Sequence, residues 1–526
     1  MQPRADVPRS AFDVPHMHKT TIGASLLVPV YVQEVLPGDT IHSRVTVLAR
    51  MAAALTPIMD NLELETFFFF VPNRIVWSNW ERFMGEQSLP SDVTQFLVPY
   101  VEFTGPYLGP GKIADYMGIT VNNSGGAIRV SALPFRAYNL IYNDWFRDED
   151  LQIPATVSTG DGPDLPSDYD LWFRNKRPDY FTTARPWPQK PINASGAMSG
   201  PLTPGQNFLI RTPWQGAAPV TGIGIVNGTG SSAGPISVKE GGFRVLDYDQ
   251  YFIQTNMRMR AALLDQEPDI KVLVNDIRTA VMIQRMLETN ARGGTRYTEI
   301  IRAHFGVVSP DARLQRPEYL GGGRDWVSVA PVVQTAPTGI AGTTTVIAEQ
   351  AATGTVAGAG HSFRGSFTEH GFIIGIVSLR SDLTYQQGVE RFWFRRSQFD
   401  HYWPGFAHLG EQAIYQREIF AKGLSPDDTI VFGYQERWSE YKWKPSRTSG
   451  YMRSISPNTL DVWHLGQNFA TPPGLNADFV KDVPPVARVA ATATLSNAWF
   501  VCDFLFQDRW ARPMPVYSVP GLGARL

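Results

Sequence analysis

Alternation of apolar and polar side chains is the dominant pattern along this chain. In residues 41–49 apolar side chains occupy nearly every second position, which predicts a half-buried strand. Residues 62–66 alternate as well and then run into four consecutive phenylalanines, residues 67–70, as expected for a strand covered on both faces. Further strands are predicted at 372–379, 429–434 and 498–506.

Three segments depart from this pattern and predict helices. Ser78 and Glu81 have the spacing of a capping box at the start of a short helix over residues 79–84. A second helix is predicted after Ser131, and a third over residues 273–287, where apolar positions follow helical spacing. We therefore expect a mainly β protein whose few helices lie between strands.

The composition supports this interpretation. The chain has 526 residues, which is long enough to bury a large core. It could form one domain with large insertions or two domains. Glycine and proline together account for 86 residues without a repeating period. Each of them inside a helix costs about 1–3 kcal/mol, so helix bundles and long coiled coils are disfavoured.

Two long segments carry very little charge. Residues 191–242 contain three charged side chains, and residues 331–362 contain a single one, Glu349. Both segments keep isoleucine, valine and threonine, unlike most disordered linkers. We expect exposed, weakly structured β excursions, with simple mobile loops as the open alternative.

The charged residues indicate protein partners more than nucleic acid or membrane. The formal net charge is −2, too small for a strong global field. Arginine outnumbers lysine by 37 to 10 and aromatic residues make up 12% of the chain, the bias found at protein interfaces. Cys502 is the single cysteine, and the sequence has neither a secretory h-region at its start nor an apolar run long enough to span a membrane. The sequence thus favours a chain that folds in a reducing cytoplasm.

A search for catalytic motifs finds none in a suitable context. Residues 230–234 match G-x-S-x-G but lack the flanking strand and helix of a nucleophile elbow. His16 and His18 form an H-x-H pair without identifiable further ligands, so a solvated N-terminal arm is the preferred interpretation. We expect no catalytic residue, no cofactor and no bound metal.

Two stretches interleave aromatic rings with cations. Single-strand nucleic-acid grooves have this composition, and so do the most strongly contributing residues of protein interfaces, which we favour here. The candidate interface or DNA residues are Arg391, Trp393, Arg395, Arg396, Arg437, Trp438, Tyr441, Trp443 and Arg447.

Many short passages over nearly the whole chain follow one collinear order. They are residues 10–13, 19–21, 34–40, 56–61, 69–74, 77–81, 179–182, 186–190, 294–299, 304–307, 316–322, 369–371, 432–436 and 512–515. Together these passages resemble the major capsid proteins of microviruses of the gokushovirus-like branch. No single passage is decisive, but their number and order are specific.

The resemblance implies a single eight-stranded antiparallel jelly roll of viral capsid type, with long inter-strand insertions containing short helices. It implies assembly through pentamers into a small T=1 icosahedral shell around a circular single-stranded DNA genome. Residues 1–190 would then form the N-terminal arm and first part of the roll, and residues 243–526 the remainder. Residues 191–242 would form a variable protrusion at the three-fold axes.

The resemblance also implies partners. A subunit with a charge of −2 cannot neutralise packaged phosphates alone, so a small basic DNA-binding packaging protein is expected, together with a minor pilot protein and a bacterial surface receptor. The virion would assemble in the cytoplasm of the bacterial host. Candidate DNA contacts in the N-terminal arm are Arg4, Arg9, His16, His18 and Lys19.

One alternative from another class stays open at this point. A β-sandwich carbohydrate-active enzyme or lectin would also combine strands with many aromatic residues. The missing signal peptide, the lack of a recognisable acid pair and the collinear resemblance all disfavour it.

Overall fold

The computed structural model describes residues 8–517 except 88, 90, 92–94, 120–125, 191–224, 227–231, 234–273, 295, 306–314, 336–349, 424–425 and 492–497. Arg4 lies outside this range. Two compact units are distinguished, one formed by Met1–Lys190 with Met286–Leu526 and the other by Pro191–Arg285.

Strands are the main regular structure of the described residues. In chain order they are β1 (Ser10–Ile22), β2 (Val28–Val35), β3 (Thr40–Met51), β4 (Leu62–Pro72), β5 (Tyr100–Phe103), β6 (Ile128–Ser131), β7 (Ile225–Val226), β8 (Ser232–Ala233), β9 (Glu318–Trp326), β10 (Ser328–Val333), β11 (Gln350–Ser366), β12 (Gly371–Ser381), β13 (Thr384–Tyr385), β14 (Glu411–Tyr415), β15 (Val431–Glu436), β16 (Ser446–Arg447) and β17 (Phe500–Arg512).

Eight of these strands form the framework of the larger unit. They lie in the order β1-β17-β3-β11-β9-β4-β12-β2, with every neighbouring pair antiparallel, and β10 pairs with β11. The order divides into two four-stranded halves, which are joined by the pairing of β11 with β9. The first strand of the chain, β1, lies beside the last strand of the chain, β17. This is jelly-roll topology, so the predicted fold class is confirmed.

The space between the two halves is filled by the first of three apolar cores. Inward-facing positions of β3 and β17 supply Val45, Val47, Phe504 and Phe506, all fully buried. On β3 these alternate with exposed residues, because successive side chains of a strand point to opposite faces. The strand predictions at 41–49 and 498–506 are therefore confirmed, although β17 begins at Phe500 and continues to Arg512.

Strand β4 is buried on both faces, as its four phenylalanines predict. Phe68 points into the roll and stacks on Phe363 with ring centroids 4.2 Å apart. Phe69 and Val71 point the other way, into a second core that also contains Ile374 of β12. The second core is completed by the insertion between β4 and β9, which covers the outer face of this half of the roll.

The helices lie between the strands of the roll, and all except the 20-residue α5 are short. They are α1 (Asn73–Val76), α2 (Trp80–Phe83), α3 (Ile113–Tyr116), α4 (Leu133–Ile141), α5 (Val274–Gly293), α6 (Tyr297–Phe305), α7 (Gln416–Ile419), α8 (Ala477–Val480) and α9 (Val486–Val489). A π-helical turn, Tyr142–Phe146, extends α4. Turns of 3₁₀ helix lie at Gly105–Tyr107, Pro166–Asp168, Arg391–Phe394, Gln398–Asp400, Pro404–Phe406, Pro426–Thr429, Ser439–Tyr441, Gly450–Met452 and Asp461–Trp463. None of the helices in the described ranges is long and apolar enough to cross a membrane.

The three predicted helices are present, but one cap differs. The hydroxyl of Ser78 donates a hydrogen bond to the carbonyl of Thr159, 2.9 Å away, and does not cap α2. The capping-box prediction was wrong because a longer-range partner satisfies this side chain. Ser131 does accept the backbone N–H of Leu133 at the start of α4.

The expectation for residues 331–362 needs correction. Residues 350–362 lie in β11, which pairs with β3 in the main sheet, and Ala352 and Val356 are buried in the first core. Alternating small and β-branched residues bury one face of this strand despite its low charge. Residues 336–349 lie outside the described residues, as does most of 191–242.

Replacing Phe68 by alanine should strongly destabilise the roll. Phe68 is fully buried, and removing a buried phenylalanine side chain typically costs about 3–5 kcal/mol. The matched control is Leu48→Ala on β3, since Leu48 is 47% exposed and its truncation should change the free energy of unfolding by less than about 0.5 kcal/mol. Urea denaturation of the unassembled chain measures both, and equal effects would contradict the assigned strand faces.

Candidate subunit interface

The insertion between β12 and β17 is held by the third core. This core joins Ile414 of β14 and Phe432 of β15 with Tyr180, Phe181 and other residues from elsewhere in the larger unit. Strands β14 and β15 pair antiparallel and give the insertion a regular backbone. The long loops that project from this support contain both predicted aromatic and basic stretches.

The loops expose an unusual number of aromatic rings. Trp393 is 66% exposed and Tyr451 is 69% exposed. We call this set the aromatic surface; its members are Phe392, Trp393, Phe399, Tyr402, Trp403, Tyr441, Trp443 and Tyr451. Single exposed apolar residues are common on soluble proteins, but eight exposed rings in the loops of one insertion, with Phe392 against Trp393 and Tyr402 against Tyr441, indicate an interaction site.

A turn within the aromatic surface is fixed by Asp400. Its carboxylate accepts the backbone N–H groups of Ser397 at 2.8 Å and Arg396 at 3.0 Å. These hydrogen bonds to the charged form lower the pKa of Asp400 to about 2. The loop that presents Phe399 is therefore held in one conformation at physiological pH.

The arginines beneath the aromatic surface are already paired. Arg395 donates to Glu440 at 2.8 Å and stacks on Tyr441, with its guanidinium 4.5 Å from the ring centroid. Arg391 pairs with Glu418 at 3.2 Å and also donates to the carbonyl of Ala413. Burial raises the pKa of Glu418, while the charge of Arg391 opposes this effect. Arg391 and Arg395 therefore hold the loops in place, whereas Arg396 of the same stretch is exposed and its guanidinium has no carboxylate within 4 Å among the described residues.

In the second basic stretch one arginine is paired with a carboxylate and another stacks on an aromatic ring. Arg447 pairs with Glu390 at 3.2 Å. Arg437 lies over the ring of Trp438, 4.4 Å from its centroid. Trp438 itself is 4% exposed and donates to the carbonyl of Phe406, so in this chain it is a buried support and not part of the exposed surface.

The predicted N-terminal arm is a strand over most of its length. Residues 10–22 form β1 and pair with β17, so the arm is part of the sheet, although seven of its thirteen residues are exposed and the His16 side chain is 41% exposed. His16 faces the roll and stacks on Phe506 with centroids 4.9 Å apart. Burial, followed by the charge of His16, lowers the pKa of His18. Regular alternation along β1 turns these two imidazoles inward.

The remaining N-terminal cations have mixed surroundings. Lys19 points to the outer side of the sheet and forms an ion pair with Asp503 of β17. Arg9 donates to the carbonyl of Gly38 and, at 3.3 Å, to the hydroxyl of Thr40. The structure brings none of them into the aromatic surface.

One buried polar set has the residue types of a hydrolase triad. His361 bonds through Nδ1 to the Thr66 hydroxyl at 2.8 Å and through Nε2 to Asp325 at 2.6 Å. The side chain of His361 has no exposed surface, so a substrate cannot reach the imidazole. The set links β4, β9 and β11 at the junction of the two halves. Within the described ranges, no group of three or more His, Cys, Asp or Glu could hold a metal ion.

Sequence reasoning missed part of the aromatic surface. Phe399, Tyr402 and Trp403 lie between the two predicted stretches, where Tyr402 packs edge-on against Trp438 at 5.6 Å. Continuous high aromatic density from Phe392 to Trp443 was the available signal. It also missed the outward arginines of β3 and β11, which lie far apart in the sequence and become neighbours only through strand pairing.

A jelly roll with long insertions and an exposed aromatic surface is typical of viral shell proteins. Sequence comparison identifies the particular family. The family described as Capsid protein (F protein) matches residues 1–522, and the chain belongs to it.

Three relatives carry the same name, Capsid protein VP1. The chain is 39% identical to that of Chlamydia phage 1, covering 99% of this chain and 96% of the relative. It is 38% identical to that of Bdellovibrio phage phiMH2K, covering 99% and 97%. It is 35% identical to that of Spiroplasma virus 4, covering 98% and 96%.

These matches confirm the predicted microvirus major capsid protein. The chain is a structural component of the virion shell of a small single-stranded DNA bacteriophage, and its family is non-enzymatic. The alternative of a carbohydrate-active enzyme or lectin is therefore wrong.

Removing the carboxylate beneath the aromatic surface should destabilise the chain. Glu440→Gln leaves the 10%-exposed side chain of Arg395 without its charged partner, and such hydrogen bonds are worth about 2 kcal/mol. The control is Glu436→Gln, because the Lys442–Glu436 pair is 54% and 41% exposed and should contribute less than about 1 kcal/mol. Denaturant unfolding of the unassembled chain compares them. Equal losses would show that the buried pairing has no special role.

Proposed function

We infer that copies of this chain build a T=1 icosahedral shell through pentamers around a circular single-stranded DNA genome, with the aromatic surface as a contact between copies. The observation that carries the inference is the combination of exposed rings with internally paired arginines. Trp393 and Tyr441 are 66% and 56% exposed, while Arg391 and Arg395 beside them are bound to carboxylates.

This combination favours protein over DNA as the occupant. Phosphate binding needs cations that are free to replace counterions, whereas these guanidiniums already contact Glu418 and Glu440. Tryptophan, tyrosine and arginine are also the residue types that contribute most at the centres of protein interfaces. A second copy of the chain is the appropriate partner, because in a shell of identical subunits every copy is in contact with other copies through the same surfaces.

The other partners follow from the charge and from the organisation of the chain. A net charge of −2 supports a separate small basic packaging protein, and a minor pilot protein would deliver the genome. Residues 191–242 are proposed as a three-fold protrusion that meets a bacterial surface receptor. Their placement is supported by the boundary after Lys190, although the compact unit that begins there extends to Arg285. Assembly would occur in the host cytoplasm.

The interface proposal is tested with Trp393→Ala and Tyr441→Ala, separately and together. Both side chains are largely exposed, and the lost stacking of Arg395 on Tyr441 costs at most about 1 kcal/mol, so the free energy of unfolding of the unassembled chain should change by no more than that for each variant. Shell formation should nevertheless fall by about tenfold or more, because each truncation is repeated at every contact. Negative-stain microscopy and sedimentation measure the yield of shells.

Ile153→Ala is the matched control, since Ile153 is 87% exposed and lies outside the aromatic surface. Normal shells from the double variant would overturn the assignment of the surface. Loss of shells together with a large loss of subunit stability would instead assign these rings to folding, which also contradicts the proposal.

The protrusion is tested by replacing residues 191–242 with a short flexible linker. Because these residues are proposed to lie outside the roll, shells should still form, and adsorption of particles to host cells should be lost. Electron microscopy and a cell-adsorption assay measure the two outcomes. Failure to assemble, or unchanged adsorption, would contradict this assignment.

A further inference from the structure

The two outer faces of the roll differ in what covers them. The half formed by β9, β4, β12 and β2 has its outer face packed against the second core, through Phe69, Val71 and Ile374. The half formed by β1, β17, β3 and β11 is different. Its outward positions, such as His42, Arg44 and Leu48, are not covered by any of the residues that the structure describes. We call the outer face of this half the bare sheet face.

The charges on the bare sheet face are mostly positive. Its outward side chains include two carboxylates, Asp13 and Asp503. Lys19 pairs with Asp503, and Arg509 lies 3.8 Å from Asp13. The outward cations along the four strands are Lys19, Arg44, Arg50, Arg364 and Arg509.

Four of the basic side chains are cross-strand neighbours. In the register of the sheet, His42 of β3 lies between Arg509 of β17 and Arg364 of β11. Arg44 is two residues further along β3, on the same face. Directly opposite and diagonal neighbours on a sheet face are about 5–8 Å apart. We call His42, Arg44, Arg364 and Arg509 the basic cluster.

Within the part of the chain that the structure describes, the charge of the basic cluster is compensated only in part, by Asp13, which lies 3.8 Å from Arg509. Among the described residues, no carboxylate lies within 4 Å of Arg44 or Arg364, and the positions opposite Arg44 are Ser362 and Gln507. Like charges at neighbouring cross-strand positions destabilise a sheet. The described residues therefore compensate the repulsion between these arginines only in part, and an anion from outside the chain would reduce it.

We propose that the basic cluster binds the phosphates of the packaged single-stranded DNA, so that the bare sheet face is turned toward the genome. The proposal rests on the inferred function as a DNA-enclosing shell. It moves the main DNA contact from the N-terminal histidines, which face the roll, to the outer side of the same sheet. Lys19, at the other end of this face, extends the positive surface.

The chemistry favours a nucleic-acid backbone over a protein partner. Arg391 and Arg395 beside the aromatic surface are paired with carboxylates. In contrast, Arg44 and Arg364 of the cluster have no carboxylate within 4 Å among the described residues, and the cluster contains no Phe, Tyr or Trp. Guanidinium groups bind phosphate through paired, charge-assisted hydrogen bonds. Without rings to stack bases, contacts to phosphate carry no sequence information, which suits a shell that must accept a whole genome.

The test compares Arg44→Gln/Arg364→Gln/Arg509→Gln with a control of equal charge change, Arg82→Gln/Lys112→Gln/Arg302→Gln. The control side chains are exposed and lie outside the bare sheet face. Fluorescence anisotropy of a labelled thirty-residue oligothymidine, titrated with unassembled chain over a range of salt, measures affinity and its salt dependence. A charge-preserving triple lysine variant at positions 44, 364 and 509 completes the set.

The cluster variant should lose affinity by about tenfold or more, and the slope of log affinity against log salt should fall by about 2, since each single-strand phosphate contact contributes about 0.7. The control and lysine variants should keep the wild-type slope. Assembled particles of the cluster variant should still form but contain less DNA by their absorbance ratio at 260 and 280 nm.

Equal loss of affinity in the cluster and control variants would overturn the proposal, because it would reduce the effect to net charge. Unchanged oligonucleotide binding by the cluster variant would also overturn the proposal. If binding were unchanged while the DNA content of the particles fell, the cluster would be assigned to an acidic protein partner instead. Failure of the inferred shell function is distinguishable, because it would appear as absent shells in the wild-type chain.

Discussion

The structure depends on enclosing apolar side chains between two sheets whose strands come from distant parts of the chain. Phe68, Phe363 and Phe506 lie on strands far apart in sequence, yet pack within one aromatic cluster, with Phe68 4.2 Å from Phe363 and 6.5 Å from Phe506. Each insertion is then placed by the strand ends from which it leaves. The aromatic surface and the bare sheet face owe their positions to this core.

Local patterns predicted much of the framework. The alternation in β3 and the phenylalanine run of β4 indicated their buried faces correctly because each residue's environment repeats with the two-residue period of a strand. Strand β11 was missed in the low-charge segment because Gly and Ala supply little apolar signal. Its assignment depends on pairing with β3, which no local window contains.

In the candidate sites, too, local sequence predicted some features and missed those that depend on tertiary structure. Aromatic density along residues 391–447 was enough to predict an interface, but not to tell Trp393, which is exposed, from Trp438, which is buried. Trp438 has a left-handed backbone, with φ of 71°, and its indole N–H donates to the carbonyl of Phe406, and the composition of the stretch indicates neither feature. The basic cluster had no local signal, since its four members come from three strands. Arginines thus have two kinds of environment in these sites. Arg391 and Arg395 pair with glutamates and hold loops in place, whereas Arg44 and Arg364 lie exposed on the sheet.

The pairing of the two terminal strands has a consequence for biosynthesis. Ser10 lies opposite Arg512, so β1 receives its neighbour only when almost the whole polypeptide has left the ribosome. Until then β1 and β3 both have open edges, and long-range closure of this kind is intrinsically slow. A chain that ends before β17 therefore cannot complete the roll, and its strands β1 and β3 keep unpaired edges that can associate with other chains.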